Sequence, residues 1–222
     1  MILTKITCEL RFSERISLLS GYEAIYKDVL KKAPEHPEQW LIPGLVMEDK
    51  ERKRSWLIDQ VRIAIDVEQP DIDFCKSSIM EFFNAIKKNL GFPSISRYGL
   101  RSTWISEHGG GFQDLLKIIK QKIYSNFDLV KKSDDIGTVF DYILDTGKKI
   151  SVTIGPMEYD QLRSQFLRFD LQSIPKVFLY VAVDMGDTNT RGFSSKYLED
   201  FVDKSINEGQ KFSNDVINAL GV

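Results

Sequence analysis

Cysteine and histidine are scarce in this chain of 222 residues, which has two of each. Cys8 falls in a predicted strand and Cys75 at a predicted helix start. Without a recognisable secretory leader, two such cysteines favour free thiols in a reducing compartment. With only His36 and His108, a histidine-based catalytic triad or zinc site is nearly excluded.

Long hydrophobic runs and an excess of charge of one sign are also missing. No stretch approaches the roughly 18 apolar residues that span a bilayer. The first ten residues carry Lys5 and Glu9 where a secretory signal needs an apolar segment. Thirty basic side chains balance 32 acidic ones, so the net charge of −2 gives no general attraction to nucleic acid or anionic membrane. We expect a cytoplasmic protein with no membrane partner.

The sequence also lacks a complete catalytic motif. It has no phosphate-binding P-loop, no dinucleotide fingerprint and no paired Cys-x-x-Cys. The run from His108 to Gly111 has the form of an oxyanion-hole loop, but the G-x-S-x-G elbow that would accompany it is absent. We therefore interpret these glycines as a hinge before a helix.

What the chain does contain is a stretch that occurs twice. Shifted by 90 positions (100 − 10), Leu10–Lys32 falls on Leu100–Lys122 without a gap. The matches are Leu10-Arg11 with Leu100-Arg101, Gly21-Tyr22 with Gly111-Phe112, Lys27 with Lys117, and Lys32 with Lys122. Each copy is predicted to be a strand, a connector that ends in glycine, and an amphipathic helix.

Hydrophobic periodicity predicts the remaining elements. Strands are predicted at Ile2–Phe12, Trp40–Met47, Trp56–Val67, Ser94–Ile105, Thr138–Leu144, Lys149–Met157, Ser164–Leu171 and Pro175–Met185. Besides the two helices of the repeat, one is predicted around Ile79–Leu90 and a long one at Ser194–Leu220.

These elements predict an α+β fold of two pseudo-repeated β-α-β-β-β(β)-α lobes, residues 1–92 and 93–222, tightly associated or merged into one continuous domain. The short turns between middle strands require an antiparallel sheet, and helices on one side are expected to cover its apolar face. Ile63–Val67 and Val181–Met185 end the two lobes alike. Helix-grip folds and the saddle of the TATA-binding protein have similar element orders, which implies no function by itself.

One motif resembles that of a known family. Arg97-Tyr98-Gly99-Leu100-Arg101, followed by Trp104-Ile105, is similar to a motif in a sporadically distributed bacterial protein family of unknown function. That family also has an aspartate-bearing strand, like Val181–Asp184, and a long C-terminal helix. A Tyr-Ile-Asn run commonly follows the second arginine there, whereas this chain has Ser102-Thr103-Trp104. The resemblance implies a bacterial or mobile-element origin and a defence-linked context, and it implies no activity.

Four arginines are candidate ligand-binding residues. Arg11 and Arg101 occupy matching places on matching strands, so they could clamp a phosphate or carboxylate with bidentate hydrogen bonds. Arg62 and Arg97, on neighbouring strands, could join them. The alternative is that each arginine pairs with an aspartate of the same sheet, in which case removing one member of a buried pair costs about 3–5 kcal/mol.

Two aspartates are candidate metal ligands. Asp66 and Asp184 each end an apolar strand and have further carboxylates nearby in the sequence, and such oxygens suit Mg²⁺ or Ca²⁺. The alternative is that each caps the loop or helix that follows. No cofactor is expected unless the metal interpretation holds.

Two surfaces are candidates for larger partners. The basic run Lys50–Arg54 with nearby Trp56 could bind nucleic acid, although the tip of a hairpin is ordinarily charged for solubility. The apolar stripe of the terminal helix continues through Phe212, Val216 and Leu220, so it could pack on a protein partner or a second copy, or cross both lobes of its own chain.

We therefore expect a non-enzymatic binding or interaction module of a bacterial or phage-like system. It would hold a protein or small ligand in the groove between the lobes or on the terminal helix. The alternatives are a metal-dependent hydrolase or nuclease that uses Asp66 and Asp184, and a small-anion or nucleotide sensor that uses Arg11 and Arg101.

Overall fold

The computed structural model describes residues 1–13, 22–30, 39–41, 44–92, 94–143, 148–189 and 192–222. The strands are β1 (Ile2–Phe12), β2 (Gln39–Leu41), β3 (Gly44–Asp49), β4 (Arg54–Asp59), β5 (Arg62–Val67), β6 (Ile95–Glu107), β7 (Thr138–Ile143), β8 (Lys149–Glu158) and β9 (Val177–Asp187). The helices are α1 (Tyr22–Leu30), α2 (Ile72–Asn89), α3 (Phe112–Ile123), α4 (Asp128–Lys131), α5 (Tyr159–Phe166) and α6 (Ser195–Leu220).

All nine described strands belong to one antiparallel sheet in the order β2-β3-β4-β5-β1-β6-β9-β8-β7. The α+β class and the antiparallel sheet are therefore as predicted. The long strands β1 and β6 pair at the centre, where β1 begins the first predicted lobe and β6 the second. That the two halves superimpose as structural repeats stays a prediction.

The main core lies between one face of this sheet and the long helices. Alternate residues of the central strands point into it, because successive side chains of a strand lie on opposite faces. They include Ile6, Cys8 and Leu10 of β1, Ile63 and Ile65 of β5, Leu100 of β6, and Val181 and Val183 of β9. Helices α2 and α6 cover them with Ile79, Phe82, Leu198, Val202 and Ile206. One cluster of buried side chains runs through both predicted lobes.

Helix α6 has clear ends. Its N-cap Ser194 accepts a hydrogen bond from the Tyr197 backbone N–H at 3.2 Å. At the other end Gly221 adopts a left-handed conformation (φ 73°), which glycine accepts without steric cost. The 26-residue helix is long enough to lie across β6 and β9 and reach α2.

Helix α5 lies on the opposite side of the sheet, contrary to the prediction that all helices lie on one side. Its Leu162 is buried in a second cluster with Ile105 of β6 and Phe178, Tyr180 and Ala182 of β9. Those strand residues alternate with the ones in the main core, so they face away from it. The sheet therefore has apolar side chains on part of its second face, and α5 is the element that buries them.

The same region corrects a strand prediction. Ser164–Leu171 was predicted as a strand, but helix α5 continues to Phe166 and no strand follows before β9 among the described residues. The helix starts where the Gln161 side chain accepts a hydrogen bond from the Glu158 backbone N–H at 3.0 Å. Leu162 and Phe166 are four residues apart and share one helix face, which the alternating pattern did not capture.

Two other strand predictions were too long. Trp56–Val67 is a hairpin of β4 and β5, which is turned at Gln60 and Val61. Trp40–Met47 is divided between β2 and β3, and residues 42 and 43 lie outside the described part of the chain. The predicted match of Gly21 and Lys32 with their later copies also falls outside the described residues.

Candidate ligand site on the polar face of the sheet

All six predicted arginines and aspartates lie on the sheet face opposite α2 and α6, which we call the polar face. They are Arg11 of β1, Arg62 and Asp66 of β5, Arg97 and Arg101 of β6, and Asp184 of β9. Each occupies a strand position that alternates with the main core. At one end α5 covers this face, and we call the other end, near Arg97 and the start of β8, its open end.

At the covered end a buried carboxylate holds the chain that follows α5. Glu68 is fully buried and accepts hydrogen bonds from the backbone N–H groups of Arg168 (3.0 Å) and Phe169 (2.9 Å). Burial raises the pKa of Glu68 above its ordinary value, and these hydrogen bonds and the charge of Lys5 oppose the effect. Lys5 Nζ also donates to the Phe166 carbonyl at 3.1 Å. These contacts therefore hold the end of α5 and the segment after it against this end of the face, which stays covered.

Asp66 belongs to that structural network. Lys5 Nζ lies 2.8 Å from its Oδ2, and the Thr7 hydroxyl donates to its Oδ1 at 2.6 Å. Asp66 and Asp184 lie on β5 and β9, with β1 and β6 between them. Three strand spacings separate them by about 14 Å, so they cannot ligate the same ion. Among the described residues no group of three or more His, Cys, Asp or Glu side chains is placed to hold a metal ion. Metal binding by either aspartate alone stays a prediction.

The predicted clamp of Arg11 and Arg101 is not assembled. The strand register places Arg101 opposite Thr7, four residues from Arg11 along β1, which corresponds to roughly 13 Å. Arg11 Nε lies 2.6 Å from Glu9 Oε1, and Arg101 Nη2 donates to the Tyr180 hydroxyl at 3.0 Å. Each arginine therefore has a local partner, and the two do not converge on one group.

Arg62 and Arg97 flank Arg11 in the register, because Arg11 of β1 is opposite both of them. Arg62 Nε pairs with Asp59 Oδ2 at 2.9 Å, and its Nη1 lies 3.8 Å from Glu9 Oε2. Three arginines thus cross the sheet side by side. Of these, Arg97 is the one that reaches Asp184.

The Arg97 guanidinium lies over two glycines, Gly99 and Gly186, which we call the glycine platform. Gly99 of β6 and Gly186 of β9 are directly opposite each other in the register. A Cβ atom at Gly99 would lie 3.6 Å from Arg97 Nε, and one at Gly186 would lie 3.5 Å from it. Both distances are ordinary van der Waals contacts, so the guanidinium lies above both strands at the height that a Cβ atom on either glycine would reach.

Asp184 is the carboxylate beside this platform. Arg97 Nη2 lies 3.5 Å from Asp184 Oδ1, which is long for a hydrogen bond between charged groups. The two side chains are 31% and 41% exposed, so both remain accessible to solvent. Among the described residues Asp184 is the one ion-pair partner of Arg97. Because their nearest charged atoms are 3.5 Å apart, the pair is loosely made.

A cavity of about 580 Å³ opens over the platform. It is lined by Arg97, Lys148, Lys149, Ser151, Asp184, Gly186, Asp187, Thr188 and Asn189. None of these side chains is aliphatic or aromatic. Its volume lies within the range of about 300–1,000 Å³ that is usual for small-molecule sites, but its lining is far more polar than is usual there.

Two of the lining cations already have partners. Lys148 Nζ lies 3.3 Å from Asp187 Oδ2, and Asp187 is almost fully buried and also bonded to the Tyr197 hydroxyl. Lys149 Nζ lies 2.8 Å from Asp141 Oδ2 at the exposed rim. Of the ion pairs made by the cationic residues of the cavity, the pair of Arg97 and Asp184 is thus the longest, at 3.5 Å.

Sequence reasoning missed Lys148, Lys149, Ser151 and Gly186. Their contribution depends on the pairing of β8 with β9, which places Lys149 opposite Gly186 and Ser151 opposite Asp184. A local signal existed in the adjacent lysines at the start of a predicted strand. Nothing local indicated that this start would meet the end of β9.

The residues predicted as a partner interface pack at least partly against the protein itself, and their contact with a partner stays a prediction. Leu220 is 4% exposed, and Phe212 and Val216 are partly buried against the main core. The Phe212 ring also lies 5.5 Å from that of Tyr142 on β7. The stripe therefore covers its own sheet with part of its surface, as the alternative of a helix that crosses its own chain predicts.

Two residues of the basic hairpin candidate are buried, while Lys50 and Arg52 of the same turn are exposed and nucleic-acid binding by them stays a prediction. Arg54 and Trp56 are each 1% exposed, so they belong to the core and not to a surface that could contact phosphates or bases. The Arg54 guanidinium pairs with Asp49 Oδ2 at 2.8 Å and with Glu81 Oε2 at 3.0 Å. It lies 5.2 Å from the centroid of the Trp56 ring.

The two cysteines are free and buried. Burial, and secondarily the charge of Glu9, raises the pKa of Cys8. Burial, followed by the charge of Asp71, raises the pKa of Cys75 to about 12. Because the thiolate is the nucleophilic form, neither residue is suited to nucleophilic chemistry.

No family model and no curated protein matches the chain, so the family resemblance stays a prediction. Eight chains of solved structures match it. One is Methanococcus jannaschii TBP, which is 15% identical and has a TM-score of 0.31, with 94% of this chain and 97% of that chain covered. At that score the likeness supports no argument. Among the described residues, no helix is both long enough and apolar enough to cross a membrane.

Proposed function

We propose that the protein is a non-enzymatic binding module that holds a small charged ligand at the open end of the polar face. The observation that carries the proposal is the position of Arg97. Its guanidinium lies over Gly99 and Gly186, at the distance where a Cβ atom on either would just touch it, with one loosely placed carboxylate beside it. The planar guanidinium presents its N–H donors in a fixed fork, which lowers the entropic cost of binding a ligand.

The polarity of the cavity supports a ligand that is charged and hydrophilic. Its lining offers Lys148 and Lys149 beside Arg97, with the hydroxyls of Ser151 and Thr188. An apolar ligand would gain little there, because the hydrophobic contribution depends on apolar surface removed from water. A phosphate or carboxylate would gain hydrogen bonds from Arg97, which can present two parallel N–H groups to it.

The proposal is tested by thermal unfolding and calorimetric titration with four small compounds. The probes are ethyl phosphate, O-phosphoethanolamine, propionate and β-alanine. We expect at least one of them to bind saturably and to raise the unfolding temperature, because a ligand that binds only the folded state stabilises it. Arg97→Gln is expected to abolish this binding.

Arg11→Gln is the matched control. Arg11 is the neighbour of Arg97 in the register of β1 and β6, but it pairs with Glu9 and does not line the cavity. We expect it to leave binding unchanged. The proposal is wrong if none of the four probes binds, or if Arg11→Gln abolishes binding while Arg97→Gln does not. The second result would favour the clamp of Arg11 and Arg101.

A further inference from the structure

The floor of the cavity presents two opposite charges side by side, and this is the feature that identifies a ligand class. Arg97 and Asp184 are separated by 3.5 Å and are both partly exposed. Asp184 Oδ1 faces Arg97, and Asp184 is one of the residues that line the cavity. A ligand that reaches the guanidinium therefore comes within a few ångströms of a carboxylate.

A simple anion is a poor match for this arrangement. Placed on Arg97, it would lose part of its attraction to the repulsion from Asp184, and like charges at such distances interact strongly near a protein surface. It would also have to separate Asp184 from Arg97 and leave that carboxylate without its partner.

The other charged groups do not remove this conflict. Asp187 already neutralises Lys148, with additional hydrogen bonds from the Asn189 backbone N–H (3.0 Å) and Nδ2 (2.9 Å). Lys149 reaches outward to Asp141 at the rim. Among the described residues, neither lysine forms an ion pair with Asp184.

We infer that the ligand is a small zwitterion, whose anionic group binds Arg97 while its ammonium group binds Asp184. Such a ligand exchanges one loose ion pair for two new ones and leaves no charge unpaired. The class includes amino-phosphates and amino acids, since both present an ammonium group a few atoms from an anion. This inference rests on the proposed function and specifies its ligand.

The test uses two pairs of compounds that differ in the ammonium group. O-phosphoethanolamine is compared with ethyl phosphate, and β-alanine with propionate, by calorimetric titration of the full chain at pH 7. We expect the zwitterion of at least one pair to bind at least about tenfold more tightly than its partner, since an added ion pair in a partly exposed site has that effect. The pair that shows the preference identifies the anionic group as phosphate or carboxylate.

The substitution Asp184→Asn is expected to change the affinities for the zwitterion and for the simple anion in opposite directions. Removing the carboxylate is expected to weaken binding of the zwitterion and to strengthen binding of the simple anion, so that the preference is lost or reversed. Asp203→Asn is the matched control, because Asp203 is a carboxylate of similar exposure (48%) that pairs with Lys76 at 2.7 Å, and neither residue lines the cavity. It should leave the preference intact.

The possible failures are distinguishable. If simple anions bind wild type as tightly as their zwitterionic counterparts, or Asp184→Asn strengthens both members of a pair equally, this inference is wrong while the proposed function stands. If none of the four compounds binds, the proposed function itself is wrong. The wild-type comparison needs no variant, so an Asp184 variant that failed to fold would leave the inference testable.

Discussion

Arg54 shows how a charged residue can serve the core instead of a surface. It follows a basic hairpin turn, yet its guanidinium is enclosed by Asp49, Glu81 and the Trp56 ring. Burial favours a higher pKa for Asp49, but hydrogen bonds from the Arg54 side chain and the Arg52 backbone N–H lower its pKa below the usual value. The two charges are therefore held as an ion pair that depends on both members.

Arg54→Ala is expected to destabilise the protein by about 3–5 kcal/mol, because it leaves Asp49 and Glu81 without their common partner and opens a cavity beside Trp56. Urea denaturation measures the change. Arg52→Ala, an exposed neighbour on the same turn, should cost less than about 0.5 kcal/mol. Equal effects of the two substitutions would contradict the assignment of Arg54 to the core.

Glu68 predicts a dependence of stability on pH. Its pKa is raised in the folded state, so its contribution is fully present below the unfolded value of about 4.3 and is lost as pH rises through the folded pKa. Relative to Glu68→Gln, wild type should lose stability as pH increases from 4 to neutrality. Denaturation at several pH values checks this, with Glu51→Gln on the exposed turn as a control. A difference that stays constant or grows with pH would refute it.

At the scale of elements, the sequence was informative wherever one residue pattern was decisive. Alternation correctly predicted β1, β6, β8 and β9, and the 3.6-residue period predicted α2, α3 and α6. It failed at α5, where the residues from Ser164 also alternate and the helix is settled by burial of Leu162 against Tyr180 and Phe178. Contacts of that kind are fixed by the sheet and not by the local pattern.

The candidate site was predicted in part for the same reason. Arg97 and Asp184 were both identified, and an arginine–aspartate pair was one of the two interpretations, but the sequence does not specify the register of β6 against β9 that joins these two residues. That register brings Gly99 opposite Gly186 and leaves room for the guanidinium. The lysines of β8 join the site only through a further strand pairing.

Gly209 in the middle of α6 tests how this helix approaches the sheet. A Cβ at Gly209 would clash with Ser102 Oγ, which also accepts a hydrogen bond from Trp104 Nε1 at 3.0 Å. Gly209→Ala should therefore destabilise the protein by about 1–3 kcal/mol, although alanine is the better helix former by roughly 1 kcal/mol.

The double variant Gly209→Ala with Ser102→Ala should recover part of that loss, because it removes the oxygen that meets the new methyl group. Gln210→Ala, an exposed position on the same helix, is the control and should have no large effect. Both are measured by chemical denaturation. A more stable Gly209→Ala variant would contradict the close packing of α6 on β6.

At the scale of the whole molecule, the strand register of the sheet limits how far the two halves can be repeats of one unit. In the predicted repeat, Arg11 corresponds to Arg101 at an offset of 90 (100 − 10), and Asp66 corresponds to Asp184 at an offset of 118 (181 − 63). Because Arg101 is opposite Asp184 in the pairing of β6 with β9, a repeated unit would place Arg11 opposite Asp66. In the structure Asp66 is opposite Thr7, and Arg62 is opposite Arg11. The two aspartates are therefore not in equivalent settings: Asp184 lines the cavity beside Arg97, while Asp66 is paired with Lys5 and Thr7.

The polar face is accordingly different at its two ends. Glu68 and α5 close one end with buried hydrogen bonds, while the glycine platform leaves the other end accessible. The cavity is lined only by residues of the second predicted lobe, although β1 of the first lobe supports β6 from its other side. The binding proposal thus depends on the intact sheet.

The central claim is most directly tested by following the backbone amide signals of Gly99 and Gly186 by NMR while O-phosphoethanolamine is added. Both signals should shift saturably in wild type and in Arg11→Gln, and neither should shift in Arg97→Gln. Saturable shifts that avoid these glycines, or that persist in Arg97→Gln, would contradict binding on the Arg97 platform.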